Sequence, residues 1–320
     1  MPLTFLNFEK TFEKIFFYEK NPRIAAGVSG GPDSLALVIL LNQWIKKKKG
    51  KLIALIVDHR IRKESFSESL QTKKYLFNKG IENKIFSVAK NKVKDGKLNQ
   101  ARINRFEILL NYCKKNKIFH LFLGHHLDDN IETFILRKIA GSNLEGLNSI
   151  QFVTILGNIQ VIRPLLYYTK KEILSFNKKL NIPFIIDPSN QNTKYSRVAI
   201  RKYLNLNRKI RKEINKEFVI IRNNYFLYKQ MIYQILNLLI IKVSFKKLVL
   251  NAKDFINLNS EIRVKILTKG VQYVNNSAFQ IRSKKIEDMV TKISKFQNIS
   301  LKSNKTSIIR INNNIIITKI

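Results

Sequence analysis

Val28-Ser29-Gly30-Gly31-Pro32-Asp33-Ser34 is the stretch whose reading decides the fold. An apolar run from Arg23 to Val28 stops at two glycines, and a helical pattern from Leu35 to Trp44 follows almost at once. Glycines let a backbone approach a phosphate closely, and the free amides of a helix start attract anions. Ser29 and Ser34 add hydroxyl donors. Asp33 is the odd member, since a carboxylate repels phosphate unless a cation lies between them. Mg²⁺, commonly held by one or two carboxylates together with phosphate oxygens, would resolve this, so Asp33 is the candidate metal ligand. A plain strand–helix turn with Ser29 as N-cap and Pro32 in the first turn is the competing reading. The spacing is not that of a Walker loop, which needs Gly-Lys-Ser/Thr after four residues.

Outward from this turn, apolar runs alternate with helical patterns. Lys51–Val57, Lys84–Val88 and Phe119–Leu123 read as buried strands, and Glu64–Asn78, Leu98–Lys115 and Leu127–Ile139 read as helices. Four strand–helix units over about 120 residues predict an α/β fold with a doubly wound, mostly parallel sheet, whose ligands lie at the carboxyl ends of the strands. Three polar signals sit at those ends: Gly27–Ser34, Asp58-His59 and Gly124–Asp129. After Ser149 the pattern turns irregular, with punctuated loops at Arg163–Leu166 and Asp187–Asn190 and a helix from about Thr169 to Leu180 between them. From Ser196 to about Val243 the chain reads as helical and basic, and Met231–Val243 as a buried helix too short for a bilayer. The tail alternates around Asn312-Asn313-Asn314, a hairpin signal. The expected organisation is a catalytic domain over 1–207 and a smaller, mainly helical second domain over 208–320 that ends in the hairpin.

Charge narrows the partner. The 59 Lys plus Arg against 22 Asp plus Glu give the chain of 320 residues a net charge of +37. A coding bias toward Lys, Asn and Ile accounts for the lysines but not for so few acids, and a polyanionic partner, a nucleic acid, is the expectation. The one cysteine, Cys113, excludes an internal disulfide and a site built on several thiolates. Glu9, Glu13 and Glu19 interrupt the N-terminal aromatics, so that segment is no secretory signal. A cytoplasmic location, or the stroma of an organelle, is expected, with no membrane partner.

Other constellations carry chemistry. Gly124-His125-His126-Leu127-Asp128-Asp129-Asn130-Ile131-Glu132-Thr133 would set His125/Asp129 and Asp128/Glu132 at i,i+4 on one helix. Carboxylates crowded in this way call for a cation or a ligand amine. Such a site can bind Mg²⁺ or hold and deprotonate an amine; the bland reading is acids placed at a helix N-terminus. His126 is the more structural of the two histidines. Asp58 and His59 would lie beside a nucleotide. Arg102 and Arg105, at i,i+3, suit a pyrophosphate leaving group or a solvated basic face, and Arg197 and Arg201, at i,i+4, suit a polyanion.

The loop at 29–34 resembles that of the N-type ATP pyrophosphatases, which bind ATP and release pyrophosphate while adenylating a substrate. With Val-Asp-His-x-x-Arg at 57–62, Ala-Arg-x-x-Arg-Phe at 101–106, Gly-His-His-x-Asp-Asp-x-x-Glu-Thr at 124–133, Arg-Pro-Leu-Leu at 163–166 and Asp-x-Ser-Asn at 187–190, followed by Arg197 and Arg201, the set resembles the tRNA(Ile)-lysidine synthetase family in order over about 175 residues. The resemblance implies adenylation, by ATP and Mg²⁺, of the wobble cytidine in the CAU anticodon of tRNA(Ile). Attack by free L-lysine then expels AMP. It also favours a homodimer. Carried onto this chain, it makes Ser29, Gly30, Gly31, Pro32, Asp33, Ser34, Asp58 and His59 the nucleotide site. Asp33, Asp129, Glu132, His125 and Arg105 become catalytic, and Arg102, Asp128, Arg137, Arg197 and Arg201 contact substrate.

Asn130, Val198 and Ala140 depart from the family pattern, where Gln, Asn and a basic residue are usual. Sulfur-transferring relatives that make 2-thiocytidine or 4-thiouridine rely on cysteines, often paired, and Cys113 stands alone. GMP- and asparagine-synthetase relatives need an ammonia source that nothing here resembles. A non-catalytic RNA-binding descendant would have lost Asp33, Asp129 or Glu132, all of which are present.

Overall fold

Helix and strand alternate through the first half as the periodicity predicts. The computed structural model describes residues 2–58, 60, 64–88, 98–185, 196–275, 283–303 and 305–320. His59 and the Asp187–Asn190 motif lie outside the described residues. The chain forms two units, Met1–Val219 and Ile220–Ile320.

The first unit runs α1 (Phe5–Glu13), β1 (Arg23–Val28), α2 (Pro32–Lys47), β2 (Lys51–Asp58), α3 (Ser65–Asn78), β3 (Glu82–Ser87), α4 (Leu98–Lys115), β4 (His120–Leu123) and α5 (Leu127–Ile139). A short α6 (Leu144–Leu147) follows, then β5 (Val153–Leu156), β6 (Ile159–Ile162), a 3-10 turn (Pro164–Tyr167), α7 (Lys170–Lys179), α8 (Ser196–Leu206) and the start of α9 (Arg208–Leu239). The β5–β6 hairpin corrects the reading of this stretch as irregular. Two four-residue strands around Gly157, at φ +62, offer too few alternations for a period to emerge.

The sheet order is β3-β2-β1-β4-β6-β5, parallel throughout except for β5 at the edge. Alternate residues of one strand feed different cores. Ile24, Ala26 and Val28 of β1 join a cluster with Trp44, Phe8, Phe12 and Phe122, whereas Ala25 joins Leu109, Cys113 and Leu121 on the other face. Burial on both faces is what keeps these strands continuously apolar. The strand order reverses between β1 and β4, so their C-terminal loops flank the crevice where such sheets bind ligands.

The second unit holds the rest of α9, then β7 (Ile240–Ser244), β8 (Lys247–Asn251), α10 (Ala252–Ile256), α11 (Ser260–Asn275), α12 (Ser283–Lys295), β9 (Asn298–Ser303), β10 (Thr306–Ile311) and β11 (Asn314–Lys319). The predicted tail hairpin is present, with Ile311 paired to Asn314 and Asn312 at φ +50 in the turn. It belongs to a five-stranded antiparallel sheet of order β7-β8-β11-β10-β9, which extends the hairpin within a unit whose residues are otherwise mainly helical. Met231–Val243 is also corrected. The helix ends at Leu239, where β-branched Ile240, Ile241 and Val243 favour a strand. Ile232, Leu236 and Leu239 are buried, but Leu238 and Ile241 are exposed. No helix among the described residues is long and apolar enough to cross a membrane.

Candidate active site

The loop after β1 is built by hydroxyl–backbone bonds. Ser34 Oγ donates to Gly31 O (3.0 Å) and accepts from Ser29 N (3.1 Å), and the two serine hydroxyls lie 3.3 Å apart. Gly31, not Ser29, is the N-cap of α2; it offers no side chain, with Pro32 next in line. First-turn amides therefore have no capping side chain, which is how a helix start receives an anion. Gly30 is obligatory: at φ +78, a Cβ there would meet Thr72 Oγ1 at 2.5 Å.

The loop after β4 touches this cradle. A Cβ on Gly124 would lie 3.1 Å from the backbone of Asp33 and Ser34, so only glycine lets the two loops come this close. His126 then caps α5. Its Nδ1 accepts from Asp129 N (3.4 Å), and its own N–H donates to the Asp129 carboxylate (3.1 Å). This corrects one expectation: the helix starts at Leu127, so His125 precedes it and shares no i,i+4 pair with Asp129.

Three acids of the site each hold a cation of the chain. Both carboxylate oxygens of Asp33 accept from Lys170 Nζ, at 2.6 and 2.7 Å. Asp128 pairs with Arg211 and accepts from Lys170 N (2.6 Å). Arg201 Nε donates to Glu132 Oε1 at 2.7 Å, and its Nη2 lies 4.0 Å from Asp129. Arg197 Nη2 donates to Thr133 Oγ1 (3.0 Å), so the basic face of α8 lies against α5. Lys170 and Arg211 were not foreseen. The signal for Lys170 was a lysine following Thr169 of the Thr169/Glu172 capping box, where it opposes the helix dipole.

Burial raises the Glu132 carboxyl above its usual range even though Arg201 lowers it; the side chain is 1% exposed and its Oε2 has no partner among the described residues. Beside the acids lies a positive field. Burial lowers Arg105, with Arg102 adding to it, and burial with Arg102 brings Arg163 to about 10. Burial lowers Arg102 as well, with Arg197 contributing. The Nε atoms of Arg105 and Arg163 have no described partner. Burial and then the charges of Arg163, Arg102, Arg105 and Arg197 hold His125 well below 6.5, so it is a neutral imidazole. Arg163 Nη1 is held by Gln151 O, Thr154 Oγ1 and Val161 O, whereas Arg102 and Arg105 have no carboxylate partner among the described residues and make a place for an anion.

Two expected contacts have local partners. Asp58 is buried, and its Oδ1 accepts from Arg60 N (2.9 Å) and Ser65 Oγ (2.7 Å), tying these two residues to the end of β2. Arg137 Nη1 donates to Gly146 O (2.5 Å) and Ser149 O (3.2 Å), holding α6 against α5. No group of three or more metal-binding side chains occurs among the described residues. Asp33 offers one carboxylate, which suits Mg²⁺ shared with phosphate oxygens rather than a protein cage.

Residues 5–207 match the family described as the PP-loop domain. The chain is 37% identical over 199 residues to tRNA(Ile)-lysidine synthase of Orientia tsutsugamushi (strain Boryong), covering 62% of this chain and 45% of that one. It is 31% identical over 269 residues to the protein of that name in Bacillus cereus (strain ATCC 14579), covering 81% and 56%. It thus spans about half the length of the curated relatives it matches. Among solved structures, the U34-tRNA thiolase NcsA of Methanococcus maripaludis shares the fold, with a TM-score of 0.56 at 22% identity over 70% of this chain and 78% of that one.

Proposed function

The chain belongs to the PP-loop family, and from that premise we propose that it forms lysidine on tRNA(Ile), joining free L-lysine to C2 of the wobble cytidine of a CAU anticodon at the expense of ATP. The observation that carries this reading is the convergence at one crevice of a phosphate cradle, the arginines that surround His125 and a buried carboxylate, with Gly124 set directly against the cradle.

The amides after Gly31 and the hydroxyls of Ser29 and Ser34 bind the ATP phosphates. As the C2 oxygen of the cytidine attacks the α-phosphate, Arg102 and Arg105 face the pyrophosphate that departs, with Arg163 behind them. Preorganised charge of this kind costs no reorganisation at the moment of reaction. Mg²⁺, bound through Asp33 and phosphate oxygens, would supply the charge that lets a carboxylate sit in the cradle. Lys170 meets the same need from within the chain. In the second step the ε-ammonium of lysine binds at Asp129 and Glu132. Glu132, with its raised proton affinity, is the better placed of the two to take the proton before the amine attacks C2 and AMP leaves. A neutral His125 beside the arginines donates a hydrogen bond to the phosphate without adding a further charge to crowd them.

The +37 charge supplies affinity for RNA phosphates, and specificity comes from splayed anticodon bases. Sulfur transfer is the weaker reading, because burial pushes the Cys113 thiol up to about 12, far from a working thiolate. The test is incubation with ATP, Mg²⁺, radiolabelled lysine and a CAU-anticodon tRNA(Ile) transcript. Lysine should enter the RNA. Pyrophosphate release that depends on tRNA, without lysine incorporation, would mean a different adenylation.

A further inference from the structure

The Arg201 guanidinium occupies the place that the reading above gives to the lysine ammonium. Glu132 lies in the second turn of α5 and is 1% exposed, and its one bonded oxygen is taken by Arg201 Nε at 2.7 Å. Asp129 lies 4.0 Å from the same guanidinium. The second oxygen of Glu132 is sealed from solvent and has no described partner, so an acceptor for one more donor is already in place. A buried carboxylate without a cation is costly, and the one bonded oxygen of Glu132 is already taken by Arg201.

Arg201 itself is only partly buried. Its side chain is 37% exposed, and it sits on α8, which leads into Arg208, Lys209, Arg211 and Lys212 at the start of α9. An arginine that reaches solvent on a basic face can trade a carboxylate for an RNA phosphate, and a second cation then offsets the cost of leaving Glu132 unpaired. Such a trade would uncover Glu132 and Asp129 for a second cation.

We propose, on the reading that these two acids hold the lysine amine, that Arg201 is an internal substitute for lysine that closes the amine site until tRNA draws it away, so that tRNA binds before lysine. The device keeps the amine site shut when there is no adenylated cytidine to attack. Arg201 is then a positioning residue whose departure, rather than its contact with the reacting atoms, sets the order of binding.

The experiment is equilibrium dialysis of radiolabelled L-lysine against the full chain, alone and with the tRNA(Ile) transcript. The wild-type protein should bind lysine at least about ten-fold more tightly with tRNA, a coupling of ordinary size for linked sites. Arg201→Gln should bind lysine without tRNA nearly as tightly as the wild-type complex does. Equal wild-type affinity with and without tRNA, or an Arg201→Gln protein still dependent on tRNA, overturns the proposal. The wild-type comparison alone decides if that variant fails to fold. Glu132→Gln, measured with tRNA present, separates the two claims. Unchanged lysine affinity there removes the acids from the amine site. A lost affinity together with tRNA-independent binding in the wild type leaves the site standing and removes only the ordering.

Discussion

Replacing Gly124 by alanine should injure catalysis more than stability. The new Cβ would stand 3.1 Å from Asp33 C, Asp33 O and Ser34 N, where ordinary contacts are 3.4–4 Å. All three atoms are backbone, so no flexible side chain can swing aside, and either the loop after β4 or the start of α2 must move by a few tenths of an ångström. Overpacking of this kind costs about 1–3 kcal/mol of stability. A 1 Å misplacement at a reacting centre costs roughly 10²-fold in rate, so a shift of a few tenths should cost about three- to ten-fold. The measurement is tRNA-dependent pyrophosphate release at saturating ATP, with thermal unfolding on the same samples. Gly80→Ala is the control. At φ +68 with nothing within 4 Å, it pays about 1–2 kcal/mol of left-handed strain away from the crevice and should keep its turnover. A Gly124→Ala protein with unchanged kcat and unchanged KM for ATP would refute the claim that this close approach sets the phosphate cradle.

Lys170→Ala should leave the fold intact, since a pair exposed to this degree (35% and 26%) contributes about 1 kcal/mol or less, yet lower the Mg²⁺ needed for half-maximal pyrophosphate release by freeing Asp33, with Lys170→Arg staying nearer to wild type. An unchanged Mg²⁺ requirement would remove Lys170 from the cradle. Glu132→Gln should unfold at the same temperature as wild type or higher at pH 7–8 while losing lysine transfer. The folded pKa of Glu132 lies above 4.5, so its ionised form costs stability at high pH, and the advantage of the variant should shrink as pH falls through that folded pKa toward 4.5. For His125 the sign is opposite: its folded pKa lies below 6.5, so the unfolded chain takes up a proton first and stability declines as pH drops below 6.5. His125→Asn should flatten that slope in denaturant titrations, and parallel curves would place the imidazole in a less positive setting. ATP phosphates should offset the arginines around His125, so calorimetry near pH 6 should detect proton uptake on ATP binding that is absent near pH 8.

Much of the first unit was legible because its strands are buried on both faces and its helices are long. The bounds of α4 and α5 match the reading at both ends, and β1, β2 and β4 differ from it by at most one residue. Tertiary context decided the rest. The β5–β6 hairpin is too short to show a period, and β7 continues the apolar pattern of α9 without a glycine or proline to mark the change. The turn at Asn312 was visible because asparagine at positive φ leaves a local signal, whereas the sheet it joins is assembled from segments far apart along the chain, as in the pairing of Leu250 with Ile315.

The candidate site divides along the same line. Spacing along one helix found Asp128, Asp129 and Glu132, and strand ends found Ser29 and Asp33, because local geometry fixes those positions. What spacing cannot tell is which cation a carboxylate meets. Asp33 read as a ligand waiting for a metal, yet its partner, Lys170, stands 137 residues further along the chain. Arg197 and Arg201 read as hands for a polyanion, yet from α8 they pack against α5, the helix that carries the acids. On the proposed function, each acid of the crevice would then have two suitors, a residue of this chain and a charge brought by ATP, lysine or tRNA. Binding of one substrate would release a basic side chain toward the phosphates of another. Such an exchange would couple the substrates through electrostatics, and it would give a chain so rich in lysine and arginine a reason to hold carboxylates at its centre.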